Sequence, residues 1–216
     1  MLDGQQPIVQ IVRGEESMGK VIGLTGGIGS GKSVVSCYLE DLGYQIVDAD
    51  LVAREVVAPN TEGLDSLVKI FGQGILTEGG ELNRQALGKL IFRDEDKRLI
   101  VNRLLHPLIE RVIAERLKKL KERHTLTFLV VPLFFEAGYA KYVDDVWYVY
   151  ASKALRENRV SERDKIDSDY AKRKIDSQLT LEEIQKKYQI RIIDNEGSID
   201  DLKEKIDKLL PLYLEK

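Results

Sequence analysis

The stretch Gly26 to Ser33, GGIGSGKS, restricts what this chain can fold into more than any other part of it. It fits G-x-x-x-x-G-K-[ST], with Gly26 first, Gly31 and Lys32 next, and Ser33 last. A loop of this kind wraps a polyphosphate closely enough for consecutive backbone N–H groups to point inward. Glycines allow the turns and remove the Cβ atoms that would block the approach. The helix that follows adds its unpaired N–H groups and the positive end of its dipole. In this motif Lys32 reaches the β- and γ-phosphates, and the Ser33 hydroxyl is the expected Mg²⁺ ligand. The flanks agree. KVIGLT (20–25) reads as an apolar strand entering the loop, and VVSCYLEDLG (34–43) as a helix stopping at a glycine. The rival dinucleotide pattern G-x-G-x-x-G is absent, because Val34 stands where its third glycine would fall.

Composition narrows the partners. A length of 216 residues suits one domain, or one domain with insertions. The formal charge of -3 gives no basic field for nucleic acid or anionic membrane, so local clusters must hold any anionic ligand. No stretch approaches the ~18 apolar residues of a membrane span. The single cysteine, Cys37, excludes an internal disulfide and fits a reducing, cytoplasmic setting. With His124 it makes no metal-ligand cluster, so a structural zinc site is not supported. Residues 1–17 lack the apolar run of a signal peptide and read as a disordered leader, or as a start site placed upstream of Met18.

Taken in order, YQIV (44–47) is a second strand, and it runs into DADLVAREVV (48–57). Two carboxylates at a strand's C-terminal end suit a helix N-cap, or a place at the crevice where ligands sit in open α/β sheets. Both hold if one caps and the other faces the crevice; Asp50 is the favoured carboxylate for an acceptor hydroxyl. Arg54, one turn later, either meets a phosphate on that face or is a solvated helix charge. Thr61 to Phe71 carries an apolar stripe. LNRQALGKLIF, DEDKRLIVNRLL and HPLIERVIAERLKKLKER read as three further helices, the last opening at His106-Pro107 because proline suits a first turn. This long helical insert is a natural place for an acceptor. TLTFLVV (125–131) is a third strand, buried on both faces, followed by PLFFEAG, whose Glu136 lies near Mg²⁺, holds a basic side chain, or is a cap or surface charge. VDDVWYVYA (143–151) is a fourth strand, whose Trp147 and tyrosines read as core. The charge-dense run after it carries Arg159 and Arg163 at i and i+4, on one helical face. Such an arm suggests a lid that neutralises transferring phosphate and excludes water. IRIID (190–194) is a fifth strand, and a last helix runs from about Ser198 to Leu214.

With these elements in place the chain resembles the dephospho-CoA kinase family from Met18 to its C-terminus. The resemblance rests on GLTGGIGSGKS, VDADLVAREVV, FGQGIL with LNRQALGKLIF, the HPLI at His106 to Ile109, VPLFFE at Val131 to Glu136, the Arg159/Arg163 pair, and DNEGS at Asp194 to Ser198. The phosphate loop is common to many families; the other elements in this order are far more specific. The resemblance implies a P-loop NTPase-type, three-layer α/β/α fold with a five-stranded parallel sheet. It implies a core at 18–58, 124–151 and 188–216, a helical CoA-substrate insert at 59–123, and a helical lid at 152–187. ATP is the implied donor, with Mg²⁺, and the ribose 3′-hydroxyl of dephospho-CoA the implied acceptor. Asp50, Lys32, Arg159 and Arg163 take the catalytic roles. Gly27, Gly29, Ser30, Gly31, Lys32, Ser33, Val34 and Asn195 meet the nucleotide. Asp48, Arg54, Asn83, Arg84 and His106 meet the acceptor, although His106 equally suits a cap on a helix beginning at Pro107. A monomer or small homo-oligomer is expected. Three departures stand out: Arg156 where the family usually has Gln, Val34 in place of Ser or Thr, and Gln189-Ile190 where it often has Ala-Asp.

Two other classes compete. Another P-loop nucleotide or small-molecule kinase would share this core and differ in the insert. A GTP-dependent switch would need an N-K-x-D guanine motif, which the sequence lacks.

Overall fold

A computed structural model describes residues 19–92 and 94–214. The leader expected at 1–17 lies outside the described residues. Five strands form one sheet: β1 (Lys20–Gly26), β2 (Gln45–Asp48), β3 (Leu126–Val130), β4 (Asp145–Tyr150) and β5 (Arg191–Asp194), in the order β2-β3-β1-β4-β5. β1 pairs in parallel with both β3 and β4, and β4 with β5. The central strand is thus the one that feeds the phosphate loop, and the strand order changes direction beside it. In open α/β sheets that is where ligands bind.

Register explains one packed layer. Leu24 lies opposite Val130 on β3 and Trp147 on β4, and Val149 lies opposite Ile193 on β5. These side chains therefore share a face of the sheet. On it sit Val35 and Leu39 of α1 (Lys32–Asp41), and Leu202 and Ile206 of the later helix Ile199–Leu209, all in one buried cluster. Trp147 is fully buried in this cluster, as expected of core, and donates through Nε1 to the Tyr213 hydroxyl at 3.0 Å. The opposite face is met by the segment after β3. Phe134 lies so close to Gly23 that a Cβ there would come within 2.6 Å of its ring.

The chain divides into two compact units: Asp48–Arg116, and the rest of the described residues. The helical unit holds α2 (Ala49–Glu55), α3 (Glu62–Phe71), α4 (Arg84–Ile91) and most of α5 (Glu95–Lys121). Helix α2, placed by the sequence with the core, groups here. The turn after it is tied to the start of α3: Thr61 Oγ1 donates to the carbonyls of Val56 (2.9 Å) and Ala58 (2.8 Å), and accepts from Leu64 N–H (3.3 Å).

One helix corrects the sequence reading. The segments expected as separate helices at 94–105 and 106–123 are the single 27-residue α5, with Pro107 inside it. An interior proline removes one backbone hydrogen bond and crowds the carbonyl four residues back, at a cost of about 3 kcal/mol. Val101 before the proline and Ile113 and Leu117 after it are all buried, so burial on both sides offsets that cost. His106 is therefore mid-helix and exposed, and its reading as an N-cap is wrong.

In the first unit the crossover from β4 to β5 runs through α6 (Lys153–Asp164), α7 (Ser168–Asp176) and α8 (Leu181–Gln185). Val160, Ala171, Ile175 and Ile184 are its buried anchors. The chain then closes with α9 (Ile199–Leu209), capped by Ser198, and the short α10 (Pro211–Leu214), where the sequence suggested one helix.

Candidate active site

The phosphate loop is held from both ends. Ser30 N–H bonds the Gly27 carbonyl at 3.0 Å, closing a tight turn. Gly31 caps α1 with φ +92, a left-handed conformation, and a Cβ there would collide with the Asn195 amide nitrogen. Asn195, after β5, is 6% exposed. Its N–H bonds Tyr150 O (2.8 Å), and its Nδ2 donates to Ser30 O (2.8 Å). Asn195 was expected to meet the nucleotide; here its side chain ties the loop to the sheet. Lys32 is half-buried at the first turn of α1, and Ser33 beside it is exposed. Val34 N–H, expected on a phosphate, already bonds Gly31 O at 2.9 Å, so any phosphate contact there would be shared.

The arginines separate. Arg159 lies against the loop: its Nη1 reaches Gly29 O and Ser30 O at 3.5 Å, and its Nη2 donates to Asn195 O at 3.2 Å. Arg163, expected beside it, is exposed and paired with Asp164, 2.8 Å from its Nε. Arg163, and secondly Lys174, hold the Asp164 carboxyl down at about 2. Arg156, one turn before Arg159, crosses Gly27 so closely that a Cβ on Gly27 would collide with its Nη1.

In the helical unit, one of the two aspartates takes the N-cap role the sequence suggested. Asp48 caps α2, its Oδ1 accepting from Asp50 N–H at 2.8 Å, and the Asp50 carboxylate is exposed in the first turn. Arg54 is exposed in the last turn of α2. Asn83 caps α4, its Oδ1 accepting from Ala86 N–H at 2.9 Å, and Arg84 is exposed beside it. A groove of about 570 Å³ in this unit is lined by residues between Pro59 and Gly80, none of them an expected acceptor contact. Glu136 of the first unit is exposed; its Oε1 accepts a long 3.4 Å bond from Leu179 N–H. No helix among the described residues is long and apolar enough to cross a membrane.

Residues 20–201 match the sequence model of the family described as CoaE, Dephospho-CoA kinase. The chain belongs to the dephospho-CoA kinase family. A dephospho-CoA kinase of Staphylococcus haemolyticus is 36% identical over 193 residues, covering 89% of this chain and 95% of that one. The dephospho-CoA kinase structure from Campylobacter jejuni shares 29% identity at a TM-score of 0.70, covering 88% of this chain and 95% of that one. The structure of TT1252 from Thermus thermophilus shares 30% at 0.75, covering 90% and 97%. As a dephospho-CoA kinase family member the chain is a kinase with a P-loop core.

Sequence reasoning missed two contacts of this kinase's loop. Gln178, between α7 and α8, accepts from Ile28 N–H at 2.7 Å. Its partner is 150 residues away, and no local pattern announces such a pair. Arg156 did carry a signal: it stands three residues before Arg159, on the same helical face.

Proposed function

We infer that this protein transfers the γ-phosphoryl group of ATP to the ribose 3′-hydroxyl of dephospho-CoA, giving coenzyme A and ADP, as a cytoplasmic enzyme. The observation that carries the reading is a phosphate loop built to motif within a chain matching the family over residues 20–201. The loop's amides and the N-terminus of α1 bind the β-phosphate region, and Lys32 extends that positive field to the γ-phosphate. Ser33 fits a Mg²⁺ role, since its exposed hydroxyl stands at the start of α1. When bound, Mg²⁺ neutralises charge on the donor's phosphate oxygens.

The transition state of such transfers is loose, so alignment and charge neutralisation outweigh deprotonation. Arg159, already on the loop, supplies positive charge. Arg163 joins it once it leaves Asp164, which makes α6 part of a lid spanning 152–187. Asp50 orients the acceptor hydroxyl and takes its proton late, while the bond from phosphorus to ADP breaks and ADP keeps that electron pair. Arg54, Asn83, Arg84 and His106 serve acceptor binding, with Asp48 fixing the helix that presents Asp50.

The test is ADP release by purified protein with ATP and Mg²⁺, with and without dephospho-CoA. The expected result is release that depends on dephospho-CoA. A folded, ATP-binding protein showing no such dependence would overturn the acceptor and leave another small-molecule kinase as the reading.

A further inference from the structure

The strand-side end of the phosphate loop, Gly27 and Ile28, is gripped by side chains from elsewhere in the same unit. Ile28 N–H is taken by Gln178 Oε1 at 2.7 Å. The Gly27 amide faces the Tyr148 hydroxyl on β4; burial raises the Tyr148 phenol, against lowering by Arg156 and by that amide. The Ile28 amide is therefore engaged within the protein. The cation at this end of the loop is Arg156, whose guanidinium lies across Gly27. Its Nε is buried and has no hydrogen-bond partner among the described residues.

A cavity of about 470 Å³ opens beside it, lined by Gly27, Tyr148, Tyr150, Arg156 and Gln178 among others. Its lining also carries Lys153, ion-paired with Asp176, and the exposed Glu182, which with the exposed Glu136 acts on Tyr148. A guanidinium whose buried Nε has no hydrogen-bond partner gains from an anion that meets it, and its planar fork suits phosphate oxygens. The amides nearer α1 hold the β-phosphate region, so the opposite end of the loop is the side toward which the transferred group lies.

We propose that Arg156 is a further catalytic residue of this kinase: its guanidinium, laid over Gly27, receives the equatorial oxygens of the transferring phosphoryl group, while Gln178 positions the Ile28 peptide beneath it. The proposal rests on the phosphotransfer reading above. It concerns a position where this chain departs from the residue usual in the family, so it is a property of this sequence. Gly27 is part of the same device, because any side chain there would displace the guanidinium.

Two readouts separate this proposal from the acceptor assignment. The first is kcat and KM for ATP with dephospho-CoA. The second, free of acceptor, is calorimetric affinity for Mg²⁺-ADP with and without aluminium fluoride, a mimic of the transferring group. Arg156→Ala is expected to lower kcat about 100-fold or more with a far smaller change in KM, in line with cations that act on the transferring group. It should lose the tightening by aluminium fluoride and keep the affinity for Mg²⁺-ADP alone. Arg156→Lys, which keeps charge but not the fork, should recover part of kcat. Gln178→Ala should give a smaller loss of the same kind. Arg156→Ala with at least half the wild-type kcat and normal tightening would overturn the proposal while the function stands. If wild-type protein ignores dephospho-CoA, the acceptor assignment fails and Arg156 is judged on aluminium fluoride alone. Loss of Mg²⁺-ADP affinity equal to the loss of tightening in both Arg156 variants would also overturn it, by showing a structural role.

Discussion

The phosphate loop and the start of the helical unit carry two halves of one proposed reaction, and they are built differently. The loop is a backbone site. Its glycines, the buried Ser30 and Asn195, and the sheet beneath fix the donors before any ligand arrives. The helical unit offers side chains: Asp50, Arg54, Arg84 and His106 are all exposed on helix surfaces, and Asp48 and Asn83 each use one side-chain oxygen in a cap. A backbone site demands residues at fixed spacing, so it is written in the sequence. A side-chain site on helix faces demands only that a few groups point one way, and many sequences satisfy that.

The contrast is tested most strongly at Asp50. Asp50→Asn removes the proposed proton acceptor and leaves the loop untouched. It should lower kcat by at least about 100-fold, the lower end for general acid–base groups, with ATP affinity unchanged in a calorimetric titration. Retention of half the wild-type rate would assign Asp50 to the helix surface alone. Gly31→Ala probes the other half. It forces alanine to φ +92 and drives its Cβ into Asn195. Strain of about 1–3 kcal/mol should weaken nucleotide affinity by about 10-fold or more, and unchanged affinity would show that the loop is not preset.

The smallest effect concerns the surface cluster on α6. Asp164 is held at about 2 against an ordinary 3.8, by Arg163 first and Lys174 next. A lowered carboxylate contributes stability that is present above pH 3.8 and lost as pH falls toward 2. Asp164→Asn should therefore melt slightly lower than wild type at pH 7, with the two curves converging at about pH 2. A constant offset across that range would remove the electrostatic explanation. The same variant frees Arg163, so a rise in kcat would sharpen its place in the lid.

Much of the fold was legible for the same reason as the loop. β1 was expected at 20–25 and runs Lys20–Gly26; β5 was expected at 190–194 and runs Arg191–Asp194. The apolar run of β1 is buried on both faces, whereas β5, at the sheet edge, buries Ile193 and exposes Ile192. Pro107 misled because a proline signals a helix start locally, whereas packing on both sides carries α5 through it. Val34 was expected to meet the nucleotide, and its N–H also bonds Gly31 O in the first turn of α1. Gln178 was invisible, since only the folded crossover brings it to Ile28. Arg156 stood in the sequence as a departure from pattern, and its contact with Gly27 gives that departure a physical meaning.

The most direct test of the central claim is the identity of the product. Protein incubated with ATP, Mg²⁺ and dephospho-CoA should yield one product heavier by a single phosphate, with proton–phosphorus coupling in NMR placing it on the ribose 3′ carbon. A phosphate at another position, or ADP formed with dephospho-CoA recovered unchanged, would contradict the account.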